Sequence, residues 1–443
     1  MTRETTRRQF LTDSSKVASV TAAVTALGGV HSFAAGASEK VRLGIIGCGG
    51  IMTHHVKGLV ERKEEVEITW LCDVDQAQIS RMAGFVSSSF QKIAPKRTQK
   101  FEEVLADKNV DAVIIATPHH WHAPIALEAM AEGKDVYIEK PISHVYNEGH
   151  AIIEASKKHS RVVQQGSQMR NSAVTKKAEK LLKDGLIGEV KVAKAWTAET
   201  RSVVKSVPDS VAPSGVDYDR WLGPAAKRPF NKHRFHSTWR MFTDYGNGEI
   251  GDDGIHDLDM ACWGLGVDTV PKEITARGGR MMLDGHASDY PDNMVVSYEY
   301  PDGRLLVYEN YPFTAYGIHG FDNGNVFYGT DGYMIFSRRG AFSTFLGPKG
   351  KPGPTEGKDI RGQRGYAEHM AEFLNAVRTR DLKTKARAEV AHKSCSLVHF
   401  GEIAFRTKGR LTFDAKTEQF VDCDEANELL SKKYREPYVL PSV

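Results

Sequence analysis

Three polar residues have the types and spacing that proton and hydride transfer need. Asp252 and His256 stand four residues apart in GDDGIHDLD (251–259), so a helix would place them on one face. A histidine with a carboxylate one turn before it can serve as a general base with an orienting partner. The alternative is that Asp252 caps the helix and His256 is a hydrogen-bonded core residue. Lys140, in the tripeptide EKP, ends an apolar run, where a partly desolvated lysine can polarise a substrate oxygen.

A glycine-rich turn predicts a dinucleotide site. GCGGIM (47–52) follows the apolar run VRLGII (41–46) and precedes a helical segment. The first glycine permits a tight turn, and the second lets backbone N–H groups approach a pyrophosphate at the helix N-terminus. Met52 replaces the third glycine of G-x-G-x-x-G, a position that governs helix–strand packing. The alternative to a dinucleotide site is that the whole glycine turn only joins the strand to the helix. The expected cofactor contacts in this turn are Gly47, Gly49, Gly50, Ile51 and Met52.

A carboxylate after the second apolar run predicts which dinucleotide binds. Asp73 follows EITWLC (67–72), a position where an acidic side chain accepts hydrogen bonds from ribose hydroxyls and repels a 2′-phosphate. We therefore expect NAD, with NADP the less favoured cofactor. Asp75, two residues further on, is the rival for this role.

The segment ATPHHWH (116–122) follows a third apolar run and contains three histidines. Thr117 and Pro118 end this strand and are expected along the nicotinamide side of the site. The histidines resemble a metal cluster at first sight. No set of Asp, Glu or Cys accompanies them at ligand spacing, so we expect no metal.

The elements that must position these residues differ between the two halves of the chain. Apolar runs at 41–46, 67–72, 111–116, 135–140 and 161–166 alternate with helical candidates at 122–133 and 145–159. Continuous Val/Ile-rich strands separated by helices predict a doubly wound α/β fold with a parallel sheet.

The second half predicts an α+β arrangement. Alternating strands with turns at Asp302-Gly303 and Asp331-Gly332 indicate antiparallel hairpins. Pro, Gly and charged residues predict long loops. The expected helices are 173–185, 366–379 and 388–408, and the expected loops are 201–238 and 346–364.

Composition excludes several classes of protein. The 443 residues carry a net charge of +3, which gives no basic footprint for nucleic acid. The five cysteines are widely spaced and form no CxxC, which argues against a disulfide framework and a structural zinc site.

Residues 1–37 are predicted to be an export signal rather than part of the fold. TRRQFL (6–11) resembles the twin-arginine signal, and an apolar stretch at 17–30 leads to AGA (35–37), an A-x-A-like cleavage site. The resemblance implies export of the folded protein to the periplasm by the twin-arginine machinery. The alternative is an uncleaved anchor or a disordered arm.

The glycine turn, EKP and GDDGIHDLD together resemble the glucose–fructose oxidoreductase, inositol dehydrogenase and rhizopine-catabolism family (Gfo/Idh/MocA). The resemblance covers nearly the whole mature chain. It implies a Rossmann domain at 40–166 and a C-terminal domain at 167–443, whose large, open, mainly antiparallel sheet serves the substrate and a homodimer or homotetramer. Segment 217–236 looks like a subgroup common among exported members.

The resemblance also implies roles for individual residues. Lys140, Asp252 and His256 match the family's catalytic positions, and His122 is similar to the histidine that closes its nicotinamide loop. Arg and Trp side chains suit carbohydrate, although a domain-interface role is an equal alternative. The remaining cofactor contacts are expected at Thr117, Pro118, His122, Glu139 and Lys140, and substrate contacts at Gln168, Arg170, Trp239 and Arg240.

These observations predict an NAD(P)-dependent oxidoreductase that acts on a sugar, a cyclitol or a sugar derivative. We expect His256 to take the hydroxyl proton, Lys140 to stabilise the alkoxide and Asp252 to orient the imidazole. One alternative is a glycosidase with a redox-neutral NAD cycle, although such cousins usually depart from EKP. A non-catalytic cofactor-binding protein is a further alternative. Free NAD is scarce outside the cytoplasm, so the cofactor is expected to be tightly bound.

Overall fold

The computed structural model describes residues 40–200, 203–280, 285, 287–311, 317–357 and 365–443. The twin-arginine-like segment 1–37 therefore lies outside the described residues. Within those described ranges, no helix is long and apolar enough to cross a membrane.

A six-stranded parallel sheet occupies the first half of the described chain, and the predicted doubly wound fold is confirmed. Its strands are β1 (Val41–Ile46), β2 (Val66–Cys72), β3 (Lys96–Thr98), β4 (Ala112–Ile115), β5 (Asp135–Ile138) and β6 (Val163–Gln165). The spatial order is β3-β2-β1-β4-β5-β6. The strands β2 and β3 therefore lie on one side of β1, and β4 to β6 lie on the other side, all parallel to it. All four residues of β4 are buried, and full burial of a Val or Ile side chain contributes about 1.5–3 kcal/mol.

Five helices cover this sheet. They are α1 (Gly50–Leu59), α2 (Gln76–Ser89), α3 (Phe101–Ala106), α4 (His122–Ala131) and α5 (Tyr146–His159), with 3₁₀ turns at Val60–Arg62 and His119–Trp121. The helices α2 and α3 and the strand β3 were not predicted from the sequence. Asp75 caps α2 by accepting a hydrogen bond from the backbone nitrogen of Ala77 at 2.9 Å.

A ten-stranded, mainly antiparallel sheet forms the second half, as expected. Its strands are β7 (Val190–Thr197), β8 (Glu273–Gly279), β9 (Asn293–Glu299), β10 (Leu305–Asn310), β11 (Asn323–Gly329), β12 (Gly332–Ser337), β13 (Ala341–Leu346), β14 (Lys351–Glu356), β15 (Arg410–Asp414) and β16 (Gln419–Phe420). The order is β14-β13-β12-β11-β7-β10-β9-β8-β15-β16, in which β7 and β10 are the parallel pair. Both predicted hairpins form, β9–β10 and β11–β12.

The loop expected at 346–364 was partly wrong, because β14 lies within it. Pro352 and Pro354 signal a loop in sequence, but β14 is an edge strand, where proline is tolerated. Residues 358–364 of that loop lie outside the described part of the chain.

The helices of the second half are α6 (Ala173–Lys183), α7 (Tyr218–Leu222), α8 (Ile255–Leu265), α9 (Tyr366–Thr379), α10 (Ala388–Thr407) and α11 (Asp424–Glu428). Shorter turns are the 3₁₀ segments Gln168–Asn171 and His236–Met241 and the π-turn Ile250–Gly254. The helix α9 returns to the first sheet, where Phe373 and Leu374 join the core beside α1 and β1.

The loop expected at 201–238 also contains more structure than predicted. Trp221, Phe230, Phe235 and Trp239 pack together around α7 in an apolar cluster. Two contacts tie this segment to the parallel sheet: Asp217 donates its backbone N–H to the carbonyl of Val74 at 2.9 Å, and Arg220 forms two 2.9 Å bonds with the Glu102 carboxylate.

Candidate active site

A cavity of about 420 Å³ lies at the carboxyl ends of β1, β2, β4 and β5. Gly47, in the left-handed region at φ 91°, lines it, and an added Cβ would come within 2.6 Å of the Ala116 backbone. A Cβ on Gly49 or Gly50 would meet nothing within 4 Å, so the protein itself leaves open space over the start of α1. The open turn therefore fits a phosphate at a helix N-terminus.

Asp73 lies beside this turn, as the sequence predicts. Its carboxylate accepts hydrogen bonds from the backbone nitrogens of Cys48 at 2.7 Å and Asp75 at 2.9 Å. Burial raises the pKa of Asp73 to about 6, even though these two bonds act in the opposite direction. The rival, Asp75, is occupied as the cap of α2 and lies 3.2 Å from His236. Of these two carboxylates, Asp73 is thus the one that lines the cavity.

Thr117, Pro118, Glu139 and Lys140 also line the large cavity; they follow β4 and β5, which lie on the other side of β1 from β2 and Asp73. The Thr117 hydroxyl is buried and has no hydrogen-bond partner among the described residues. The Lys140–Pro141 peptide bond is cis. An unpaired hydroxyl, an open glycine turn and a carboxylate beside it fit the groups of an NAD molecule.

Two of the residues predicted to contact the cofactor do not line the cavity. Met52 lies on the inner face of α1 and is fully buried in the core, because the third position of the glycine motif faces the sheet. His122 is also fully buried, and its ring nitrogens lie 2.7 Å from the carbonyl of Pro141 and 2.9 Å from that of Thr117. It therefore holds the backbone of both loops from behind the cavity wall.

Lys140 is fixed by the second half of the chain. Its Nζ donates to the Asp252 carboxylate at 2.8 Å and to the Asp252 carbonyl. Arg240 Nε donates to the same carboxylate oxygen at 2.8 Å. Burial alone would raise the pKa of Asp252, but the charges of Arg240 and Lys140 outweigh it and hold that pKa below its usual value.

A second cavity, of about 140 Å³, meets the large one at Ile51, Glu139 and Lys140. Its other walls are mostly polar. Gln168 Oε1 is buried and accepts no hydrogen bond from any described residue. Arg338 donates to Asp253 at 2.8 Å. The remaining lining residues are Gln168, Met169, Asp253, His256, Arg338 and Tyr366.

His256 lines this small cavity, but Asp252 does not orient its ring. The segment Ile250–Gly254 is a π-turn, whose wider spacing turns Asp252 away from the face that four-residue α-helical spacing predicts. Asp252 binds Lys140 and Arg240 instead, and His256 makes no hydrogen bond within the described chain. Burial, with the charges of Lys140 and Arg338, lowers the pKa of His256 to about 3, so the ring is neutral.

The four expected substrate residues separate into two groups. Gln168 lines the small cavity, and Trp239 and Arg240 line the large one, where the Arg240 guanidinium lies 4.3 Å from the Trp239 ring. Arg170 lines neither cavity. It forms a buried two-point pair with Asp259, at 2.7 and 2.8 Å, which uses its guanidinium to join the turn after β6 to α8.

Several cavity residues were missed from the sequence. They come from segments far from the glycine turn. Three of these segments carried a signal: 116–122 through its histidines, 217–236 through its resemblance to exported relatives, and 251–259 through its resemblance to the family motif. His119 was noticed but considered only as a metal ligand, and no group of three or more metal-ligating side chains occurs in the part of the chain the structure describes. The missed residues include His119, Arg220, Trp221, Phe235 and His236 in the large cavity and Asp253 and Arg338 in the small one.

The fold and site define an NAD-binding oxidoreductase, and comparison with family models agrees. The model described as "Oxidoreductase family, NAD-binding Rossmann fold" matches residues 41–167. The model described as "Oxidoreductase family, C-terminal alpha/beta domain" matches 171–331 and 357–440, which is more than half of the chain. The protein belongs to the Gfo/Idh/MocA oxidoreductase family.

Individual relatives are distant. A myo-inositol 2-dehydrogenase of Thermotoga maritima is 24% identical over 298 residues, 67% of this chain and 75% of that protein. A glycosyl hydrolase family 109 protein of Shewanella pealeana is 25% identical over 299 residues, 66% of this chain and 62% of that protein. The structure of an aldose–aldose oxidoreductase of Caulobacter crescentus, complexed with glycerol, superposes with a TM-score of 0.65 at 18% identity, over 85% of this chain and 100% of that chain.

These findings confirm four predictions from the sequence: the family, the fold class, an NAD(P)-dependent oxidoreductase, and NAD as the cofactor. The likeness to solved structures concerns the fold alone at this level of identity.

Proposed function

We propose that the protein oxidises a secondary hydroxyl of a neutral sugar or cyclitol, with NAD in the large cavity and the substrate in the small one. The observation that carries this proposal is the place of Lys140, which lines both cavities. A group that stabilises charge at the reacting oxygen must touch the boundary between cofactor and substrate.

The small cavity supports a hydroxyl-rich substrate. Its side chains include both donors and acceptors: Arg338 and Lys140 carry N–H donors, while Gln168 and Asp253 carry oxygen acceptors. Its volume of about 140 Å³ lies well below the roughly 300–1,000 Å³ of drug-sized sites, which favours no more than one sugar-sized ring.

The proposed roles follow from the protonation states. His256, neutral because burial lowers its pKa, accepts the proton of the substrate hydroxyl. Lys140 stabilises the oxygen from which that proton leaves. Asp252 is a positioning residue, since it holds Lys140 rather than the imidazole. NAD, when bound, accepts the hydride released from the carbon.

We further propose that the protein belongs to an exported, twin-arginine subgroup and works in the periplasm. Support comes from Arg7-Arg8 and the A-x-A-like end of segment 1–37. An exported dehydrogenase needs a retained cofactor, so we propose tight NAD binding and regeneration by a second substrate. A homodimer or homotetramer through the ten-stranded sheet, as the family resemblance implies, is part of the same proposal.

The second candidate is a glycosidase that uses NAD in a redox-neutral cycle. The similarity to the family 109 glycosyl hydrolase favours it. The EKP tripeptide at 139–141 argues for the oxidoreductase, because glycosidase cousins usually depart from it.

One experiment separates the two functions. The full chain is purified, its bound nucleotide is released by denaturation and identified, and the native protein is then incubated with added NAD and glucose, myo-inositol or a p-nitrophenyl glycoside. The oxidoreductase is expected to copurify with NAD and, with a free sugar or cyclitol and no second substrate, to convert this bound NAD to NADH. Release of p-nitrophenol without NADH would instead establish the glycosidase, and absence of any bound or binding nucleotide would contradict tight cofactor binding.

A further inference from the structure

His119 occupies a defined position in the wall of the large cavity. It begins the 3₁₀ turn after β4 and is buried, with 2% of its surface exposed. Its ring meets the Trp239 ring edge to face at 4.7 Å between centroids, and its Nδ1 lies 3.0 Å from Asn247 Oδ1. The imidazole is therefore held from two sides.

The partners of Asn247 determine which way its amide points. Its Nδ2 donates to the His144 carbonyl at 2.9 Å and to the Glu402 carboxyl at 3.2 Å. Turning the amide over would place its oxygen against the His144 carbonyl, where two acceptors would repel each other. Oδ1 must therefore face His119.

This orientation selects one tautomer of His119. An amide oxygen only accepts hydrogen bonds, so Nδ1 of His119 must carry the proton and donate it. Burial, together with nearby His122, Lys140 and Arg240, keeps the pKa of His119 well below its usual value, so the ring is neutral. Its Nε2 then carries a lone pair and bonds to no residue in the described part of the chain, although the ring lines the cavity.

The position along the cavity indicates which ligand group meets this lone pair. A pyrophosphate at the glycine turn and a ribose at Asp73 leave the nicotinamide for the end lined by Thr117, His119 and Lys140. The carboxamide supplies the N–H donors of a nicotinamide ring. Substrate hydroxyls have acceptors of their own in the small cavity, at Gln168 and His256.

We propose that His119 Nε2 accepts a hydrogen bond from the nicotinamide carboxamide, and that Asn247 positions His119 for this contact. The contact fixes the rotation of the nicotinamide ring and so selects the ring face presented to the substrate. The inference rests on NAD occupying the large cavity, as in the proposed function, but not on which sugar is oxidised.

The test measures binding rather than turnover. Protein freed of nucleotide by charcoal treatment is titrated by calorimetry with NAD and with 3-acetylpyridine adenine dinucleotide, which has no carboxamide N–H. The wild type should bind the analogue about five- to tenfold more weakly, the size of one hydrogen bond. His119→Phe should bind both nucleotides equally, and His119→Gln, whose side-chain oxygen can replace Nε2, should regain the preference for NAD.

Asn247→Leu tests the positioning role. It should lose NAD affinity without losing affinity for the analogue, a selectivity that general damage to the fold would not produce. His159→Gln, at the partly exposed end of α5, is the matched control and should keep the wild-type preference. An unchanged NAD preference in His119→Phe overturns the inference. A wild type that binds NAD but oxidises no sugar overturns the proposed function and leaves this contact standing.

Discussion

The two cavities that meet at Lys140 are built in different ways. The large one combines the backbone of the glycine turn with aromatic side chains such as Trp221 and Trp239, surfaces that suit phosphates and flat rings. The small one is lined mainly by charged and amide side chains, including Gln168 and Arg338. The large cavity is thus shaped mainly by the turn backbone and aromatic faces, with a few polar side chains such as Asp73 and His119, whereas the small cavity is shaped mainly by polar side chains.

The largest expected effect removes the group that both cavities share. Lys140→Ala should lower kcat by about 10²–10⁴-fold, because stabilisation of the developing alkoxide is lost. NAD affinity should remain near the wild-type value, since the glycine turn and Asp73 are untouched. Steady-state kinetics and calorimetric titration with NAD check the two halves of this prediction. Lys140→Arg, which keeps the charge and a link to Asp252, should retain more activity than the alanine variant, and full activity in Lys140→Ala would remove Lys140 from the mechanism.

A smaller effect should appear in the substrate cavity alone. Gln168→Leu should raise the KM for the sugar about tenfold, the equivalent of one hydrogen bond, because Oε1 loses its role as an acceptor. The melting temperature should stay constant or rise, since a buried oxygen without a described partner is replaced by carbon.

Arg170→Lys, two residues away, is the matched control for Gln168→Leu. Arg170 is paired with Asp259, so the loss of its two-point contact should lower the melting temperature while KM stays unchanged. If Gln168→Leu lowers stability without changing KM, then Gln168 is a structural residue and the small cavity loses its proposed substrate contact.

The two cavities also differ in how far sequence could predict them. The turn at 47–52, Asp73 and Lys140 follow β1, β2 and β5 of one sheet, and the carboxyl ends of parallel strands meet at one edge. Local pattern therefore placed them together. Asp253 and Arg338 are 85 residues apart, and the fold of the second half brings their side chains within 2.8 Å. No local sequence pattern contains that information.

The errors have equally specific causes. The π-turn at Ile250–Gly254 changes the angular spacing that made Asp252 and His256 seem to be partners, and no rule of periodicity signals a π-turn. The helix α2, by contrast, was detectable: its buried residues Ile79, Met82, Ala83 and Val86 recur at helical spacing after the cap at Asp75. The prolines in β14 led to the prediction of a loop, because proline usually marks loops although edge strands tolerate it.

The smallest expected effect concerns the far end of the large cavity. Asp73 has a pKa of about 6, so it is ionised at pH 7.5 and loses its charge as the pH falls through 6. The ionised carboxylate repels a 2′-phosphate, and the neutral form does not. The preference for NAD over NADP should therefore narrow about three- to fivefold between pH 7.5 and pH 5, measured as the ratio of the two dissociation constants.

The 2′-phosphate of NADP also gains a proton near pH 6. The effect of this protonation on the ratio of the two dissociation constants must be separated from the effect of Asp73. Asp73→Asn provides the reference, because its ratio changes with pH only through the phosphate. The wild-type ratio should change more steeply than that of the variant, and the two curves should converge at low pH, where Asp73 is neutral. Parallel curves would mean that Asp73 carries no charge-based discrimination, in which case the preference for NAD would depend on the shape of the turn alone.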